Sequence, residues 1–266
     1  MSPYASPFED LFYFEIMNGI LAKSTKYGYN IVIDNPKKGD LPDTVYAGDA
    51  DGIIFMQDIS PSMKKKAIAS GIPFVVVDAH DSDSSVVSVR VDYTEAAYMA
   101  MTHLIENGHK DIALISSNVV PDFYKQTLRG FERALTENSI PINPEFVGIM
   151  AENEESAYDA AKKVLSLPKR PTAILCAIDT FAIGAMRCAK DMKLSVPDDV
   201  SFIGIDDILL AKYIEPKLTT IKIDKAEMGS VAMDLLRRMI AEKPAKSASA
   251  SIKLLIRDSV KDVSKK

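Results

Sequence analysis

The 266-residue chain contains no tryptophan and only two cysteines, Cys176 and Cys188. The first absence rules out intrinsic tryptophan fluorescence as a probe. The second excludes a disulfide scaffold, which needs a denser set of cysteines. The two thiols do not form a CxxC pair; one lies in the apolar run TAILCAI and the other in AIGAMRCAK. Both read as small buried hydrophobes in a reducing cytoplasm. No apolar stretch approaches the roughly 20 residues of a membrane helix. The opening stretch, MSPYASPFEDLFYF, has no basic region leading into an apolar one and does not read as a secretory signal. Positive charge is not in excess either: 32 Lys and Arg face 37 Asp and Glu, for a net charge of -5. A basic footprint for nucleic acid is therefore missing from these residues.

Catalytic signatures are lacking as well. There is no GxSxG, no HExxH, no phosphate loop ending in GK[ST] and no GxGxxG. His80, His103 and His109 do not have metal-ligand spacing. The chain is expected not to be an enzyme and to use no cofactor or metal.

What the sequence does contain is an alternation of two patterns. Val/Ile-rich runs predict strands at 29–34, 51–56, 73–78, 86–91, 111–116, 146–150, 172–179, 200–206 and 251–258. Most are continuously apolar, as parallel strands covered on both faces are. Amphipathic stretches between them predict helices at 14–26, 93–107, 124–138, 154–167, 180–192 and 225–242. Asp92 and Glu95 fit a capping box at one helix start, and Gly108 suits a left-handed stop at its end. The β-α alternation predicts an α/β fold of doubly wound parallel sheets.

Three of the predicted strands end in an acid. Asp78 closes PFVVVD, Asp179 closes TAILCAID and Asp206 closes VSFIGID, with Asp207 beside it. Ligands bind at the carboxyl ends of strands in open parallel sheets, so two such bodies would line a cleft with these acids. Purely structural roles compete with that reading. Asp206 or Asp207 could cap a short helix, ILLAKY; Asp179 is a natural N-cap; Asp78 could be a solvated loop acid. Lys64, Lys65 and Lys66 read as a solvated helix face, and His109 as packing at a helix-to-strand turn.

A set of phrases then carries a resemblance. They are GYNIVIDN, DGIIF, IPFVVVD, VVSVRVDYTEAAYMAMTHLIENGHKDIALIS, RGFERAL, PTAILCAIDTFAIGAM, VPDDVSFIGIDD, PKLTTIKID and LLIRDSV. In this order and spacing, from about residue 14 to 260, the chain resembles the effector-binding core of LacI/GalR-family transcriptional regulators. The resemblance implies the type I periplasmic-binding-protein fold: two doubly wound lobes, a small molecule in the cleft between them, and a homodimer. It places residues 1–91 and 223–250 in an N-lobe, and 92–222 and 251–266 in a C-lobe. It also implies ligand contacts at Phe12, Tyr13, Asp78, Thr127, Glu152, Asp179 and Asp206. Thr127 stands where many members carry arginine, and Ile178 where they often carry Asn. Fewer cationic clamps favour a neutral sugar or polyol effector, with a cationic ligand kept open.

The family's helix-turn-helix head has no counterpart here, so operator DNA would be read only through a head absent from this chain. The core's first strand has no counterpart either, and the expectation is that the natural protein begins upstream. The competing function is a substrate-binding protein of a sugar transporter, which an upstream signal peptide would support. An enzyme on a related fold is the third alternative, which turnover of a bound ligand would favour.

Overall fold

A computed structural model describes residues 11–34, 40–80 and 85–264. In chain order the elements are helix α1 (Leu11–Tyr27), α2 (Asp43–Tyr46), β1 (Ile53–Met56), α3 (Pro61–Ser70), β2 (Phe74–Val77) and β3 (Ser88–Arg90). There follow α4 (Tyr93–Glu106), β4 (Ile112–Ser116), α5 (Pro121–Glu137), β5 (Ile149–Met150), α6 (Glu154–Leu165), β6 (Ala173–Cys176) and α7 (Asp179–Asp191). The last are β7 (Ser201–Asp206), β8 (Thr219–Ile223), α8 (Lys225–Ile240), β9 (Ala248–Ser249) and β10 (Ile252–Leu255). The chain divides into two compact units: Met1–Val91 with Asp224–Ser251, and Asp92–Ile223 with Ile252–Lys266.

The first unit is built on a parallel sheet of order β1-β2-β3-β9. Its central strand β2, FVVV, is buried along its whole length. Each fully buried Val, Leu, Ile or Phe side chain contributes about 1.5–3 kcal/mol of transfer free energy. Helices α1 and α8 pack together at backbone contact. A Cβ on Gly19 would sit 2.1 Å from the Ala226 carbonyl oxygen, and one on Gly229 would sit 2.0 Å from that of Ile16. Any larger residue at either position would force the helices apart. The start of α1, which carries Phe12 and Tyr13, is set against the sheet by this packing.

One predicted strand of this unit is not a strand. Residues 29–34 run without regular structure, and Ile31, Val32 and Ile33 are 37%, 70% and 51% exposed. The reason is pairing: an apolar run becomes a strand only beside a neighbour that satisfies its backbone groups, and among the described residues β1 is the edge of the sheet. The expectation that the core's first strand is missing concerns the stretch before α1, which lies outside the described residues.

The second unit has a six-stranded sheet of order β10-β8-β7-β6-β4-β5, parallel except for β10. Every residue of β4, β6 and β7 is buried, which agrees with their unbroken apolar runs. Asp92 caps α4 by accepting from the Glu95 backbone N–H at 2.9 Å, and Gly108 beyond its end has φ +89°. Strand β8, in PKLTTIKID, and the short β9 escape the apolar-run criterion. The core of β8 contains Thr219 and Thr220, both fully buried, and their polarity hides the strand. Cys176 and Cys188 are both buried, and burial pushes both thiols above their ordinary pKa.

Candidate functional site

Of the predicted site residues, Asp78 and Asp206 lie at the carboxyl ends of parallel strands, one in each unit. In the first unit, Gln57 and Asp58 follow β1, and Asp78 and His80 follow β2. The Tyr13 hydroxyl, from the first turn of α1, donates to Asp78 Oδ2 at 2.6 Å. Gln57 Nε2 donates to the Tyr13 oxygen at 2.7 Å. His80 is held by Asp58 twice: its backbone N–H donates to Oδ1 at 2.9 Å, and Nδ1 lies 3.1 Å from Oδ2. His80 Nε2 lies 3.7 Å from Asp78 Oδ1. One connected set of polar groups thus ties the ends of β1 and β2 to the start of α1. Asp78 is 2% exposed, so it is no solvated loop acid. Phe12 is buried edge-on against Tyr13, with ring centroids 5.2 Å apart. The Lys225 ammonium lies 5.9 Å from the Phe12 ring centre and 3.6 Å from Glu15 Oε1.

In the second unit, the twin acids at the end of β7 part company. Asp207 goes to the Arg257 guanidinium in a close ion pair, with Lys212 Nζ at 3.8 Å from its other oxygen. Arg257 is itself fixed, donating from Nη1 to the Leu218 carbonyl at 2.8 Å. Asp206 is 5% exposed and has φ 121°. Neither acid caps the 3-10 turn Leu209–Lys212, whose N-cap position is Ile208 and carries no side-chain cap hydrogen bond. The capping role weighed for them is not what the structure shows.

Asp179 is fully buried and is not an N-cap either; Ile178 holds that position of α7. Its carboxylate accepts from the Thr220 hydroxyl at 2.6 Å and from the Ile208 backbone N–H at 2.9 Å. That clamp joins α7 to β8 and to the segment carrying Asp206 and Asp207. It also explains Gly204: a Cβ there would lie 2.1 Å from Asp179 Oδ1. Thr127 is likewise fully buried. Its hydroxyl donates to the Tyr124 carbonyl at 3.0 Å and accepts from Ser116 at 3.0 Å, inside the contact between α5 and β4. Glu152 is exposed just before α6, its backbone N–H donating to Ser156 Oγ at 2.8 Å. The structure therefore gathers Tyr13 and Asp78 at one set of strand ends with Phe12 packed against them. It sets Asp206 at another and gives Thr127 and Asp179 interior positions.

The backbone at these strand ends is unusual. Gln57, Asp78, Asp206 and Asp207 have φ of 78°, 60°, 121° and 54°. Such conformations cost a non-glycine residue on the order of 1–3 kcal/mol and persist where surrounding structure enforces them, commonly at functional sites. His109 does pack at the turn after α4, between Thr172 Oγ1 at 2.9 Å and the Lys261 carbonyl at 3.0 Å.

Known proteins share this arrangement of chain. A model of the periplasmic binding protein-like domain matches residues 101–260. Catabolite control protein A of Priestia megaterium is 31% identical over 246 residues, covering 90% of this chain and 74% of that protein. The HTH-type transcriptional repressor PurR of Vibrio parahaemolyticus is 33% identical over 241 residues, covering 88% of this chain and 72% of that one. The chain belongs to the LacI/GalR family of transcriptional regulators. A crystal structure of a LacI-family regulator from Enterococcus faecium with bound ribose superposes with a TM-score of 0.86 at 26% identity, covering 96% of each chain.

Within this LacI/GalR-family core, sequence reasoning missed Gln57, His80, Thr220 and Arg257. Gln57 had a signal available, since it follows DGIIFM as Asp78 follows VVV. Arg257 had none: it meets Asp207 from 50 positions away. No helix among the described residues is long and apolar enough to cross a membrane.

Proposed function

We propose that this chain is the effector-sensing core of a LacI/GalR-type repressor and that its effector is a neutral sugar or polyol. The observation that carries the reading is the strand-end Asp78, buried, held in a left-handed backbone and oriented by the Tyr13 hydroxyl. A carboxylate offers only acceptors, so it suits a ligand rich in hydroxyl donors. Asp206 supplies the corresponding acceptor on the second unit, and Phe12 an aromatic face. The ribose found in the Enterococcus faecium relative supports the ligand class. Asp179 and Thr127 act as positioning groups, and Glu152 as a peripheral polar contact. The chain catalyses nothing, works in the cytoplasm and requires no cofactor.

Effector binding shifts the protein between conformations by its differential affinity for them. In a full-length dimer that shift is coupled to operator affinity, and the coupling is reciprocal. The dimer is a second copy of this chain. Exposed apolar residues are available for it: Phe14, Leu21 and Ile68 on the first unit, and Leu209, Leu210, Tyr213 and Ile256 on the second. Sedimentation at micromolar concentration tests the dimer, and a strictly monomeric folded chain contradicts it.

Isothermal titration with D-ribose, following a thermal-shift survey of pentoses and hexoses, tests the ligand class. Asp78→Asn weakens binding by more than about tenfold, since a hydrogen bond to a charged acceptor contributes roughly 1.5–3 kcal/mol. Unchanged affinity in Asp78→Asn would refute the reading.

A further inference from the structure

Gln57 holds more hydrogen-bonding capacity than its structural contacts use. Its backbone N–H completes the ladder by donating to the Val77 carbonyl at 2.8 Å. Its φ of 78° is unfavourable for any residue but glycine. The amide orientation follows from its neighbour. The Tyr13 proton is committed to the Asp78 carboxylate at 2.6 Å, so the phenol oxygen facing Gln57 can only accept. The amide therefore turns its NH2 group to Tyr13 and its carbonyl elsewhere. Among the described residues, that leaves a second N–H and the carbonyl Oε1 with no protein partner. A strut for Tyr13 would need a single donor. This side chain keeps a donor and an acceptor side by side in one plane, the arrangement with which Gln reads a base edge in two places.

We propose that Gln57 is a specificity-determining residue that reads two neighbouring hydroxyls of the effector. The amide N–H donates to one oxygen and Oε1 accepts the proton of the other. The inference rests on the reading that a sugar binds at these strand ends. Gln57 distinguishes a vicinal diol from a deoxy analogue, because loss of either hydroxyl leaves half of its amide unmatched. The strained backbone and the Tyr13 contact fix the plane in which the diol must lie.

The test is calorimetric titration of D-ribose, 2-deoxy-D-ribose and 3-deoxy-D-ribose into the folded chain, with circular dichroism to confirm folding of each variant. The wild type binds ribose at least about tenfold more tightly than one of the deoxy sugars, and Gln57→Ala and Gln57→Met collapse that ratio to about twofold or less. Wild-type discrimination in both variants overturns the proposal, and simultaneous loss of ribose binding in Asp78→Asn shows that the site reading survives. Absence of ribose binding in the wild type overturns both. The Tyr13→Phe background separates a contact from a strut. If Gln57→Ala has no further effect on the ratio there, Gln57 acts only through Tyr13 and the proposal fails.

Discussion

Replacing Asp207 by alanine leaves the Arg257 guanidinium beside an empty, water-poor position. The two side chains are 5% and 14% exposed, and Lys212 approaches the same carboxylate. Removing one partner of a buried ion pair costs about 3–5 kcal/mol, because the other charge stays buried without compensation. Arg257 keeps its bond to the Leu218 carbonyl and has some access to water, so the low end, about 3 kcal/mol, applies. For a body of this size each kcal/mol moves the melting temperature by about 2–4 °C, giving a fall of about 6–12 °C. Far-UV circular dichroism is the assay, since the chain has no tryptophan. Arg257→Met should cost a similar amount by stranding Asp207. The double variant should be less destabilised than the sum of the two, because no lone charge remains. An Asp207→Ala protein that melts within about 1 °C of the parent, or a double variant equal to the sum, would show that the pair does not hold this segment.

Two further outcomes follow from the units taken separately. Burial holds His103 and His109 below the ordinary histidine pKa, so the unfolded chain binds protons there more readily than the folded one. Their contribution to stability is complete above about pH 6.5 and is lost as pH falls below it, with a slope of at most about 1.4 kcal/mol per pH unit for each histidine. Urea melts between pH 8 and 5 should show this decline, and His103→Gln should reduce its slope; a flat profile would count against it. Hydrogen exchange should show the amides of β1, the edge of its sheet among the described residues, and of residues 29–34 opening at lower free energy than those of β6 and β7. Equal protection in both units would show that residues 29–34 are paired, contrary to their lack of a strand partner among the described residues.

The β-α alternation was legible because buried parallel strands are continuously apolar, and β2, β4, β6 and β7 all carry that pattern. Strand β8 was not, because Thr219 and Thr220 place hydroxyls in the core. Those hydroxyls are consumed by partners distant in sequence: the Arg257 backbone N–H for Thr219 and Asp179 for Thr220. Residues 29–34 misled in the opposite direction, since an apolar run states a preference but pairing decides the outcome. Among the acids, position at a strand end was visible and role was not. Nothing local in IGIDD says that Asp207 belongs to an arginine fifty residues on, or that Asp179 is spent on Thr220 and Ile208. The family resemblance marked Thr127 because it occupies a position, yet its hydroxyl closes a contact between α5 and β4.

We propose that, besides Asp78, the end of β7 presents Asp206 to the effector while Asp207 holds the fold. Calorimetric titration of D-ribose into Asp206→Ala and Asp207→Ala, each paired with a thermal melt, tests it most directly. Asp206→Ala should lose more than about tenfold in affinity, as expected for a hydrogen bond to a charged acceptor, with a smaller fall in melting temperature than Asp207→Ala. Asp207→Ala should melt lower and bind within about twofold of the parent. If Asp206→Ala binds like the parent and melts lower, the acid is structural and the claim is wrong.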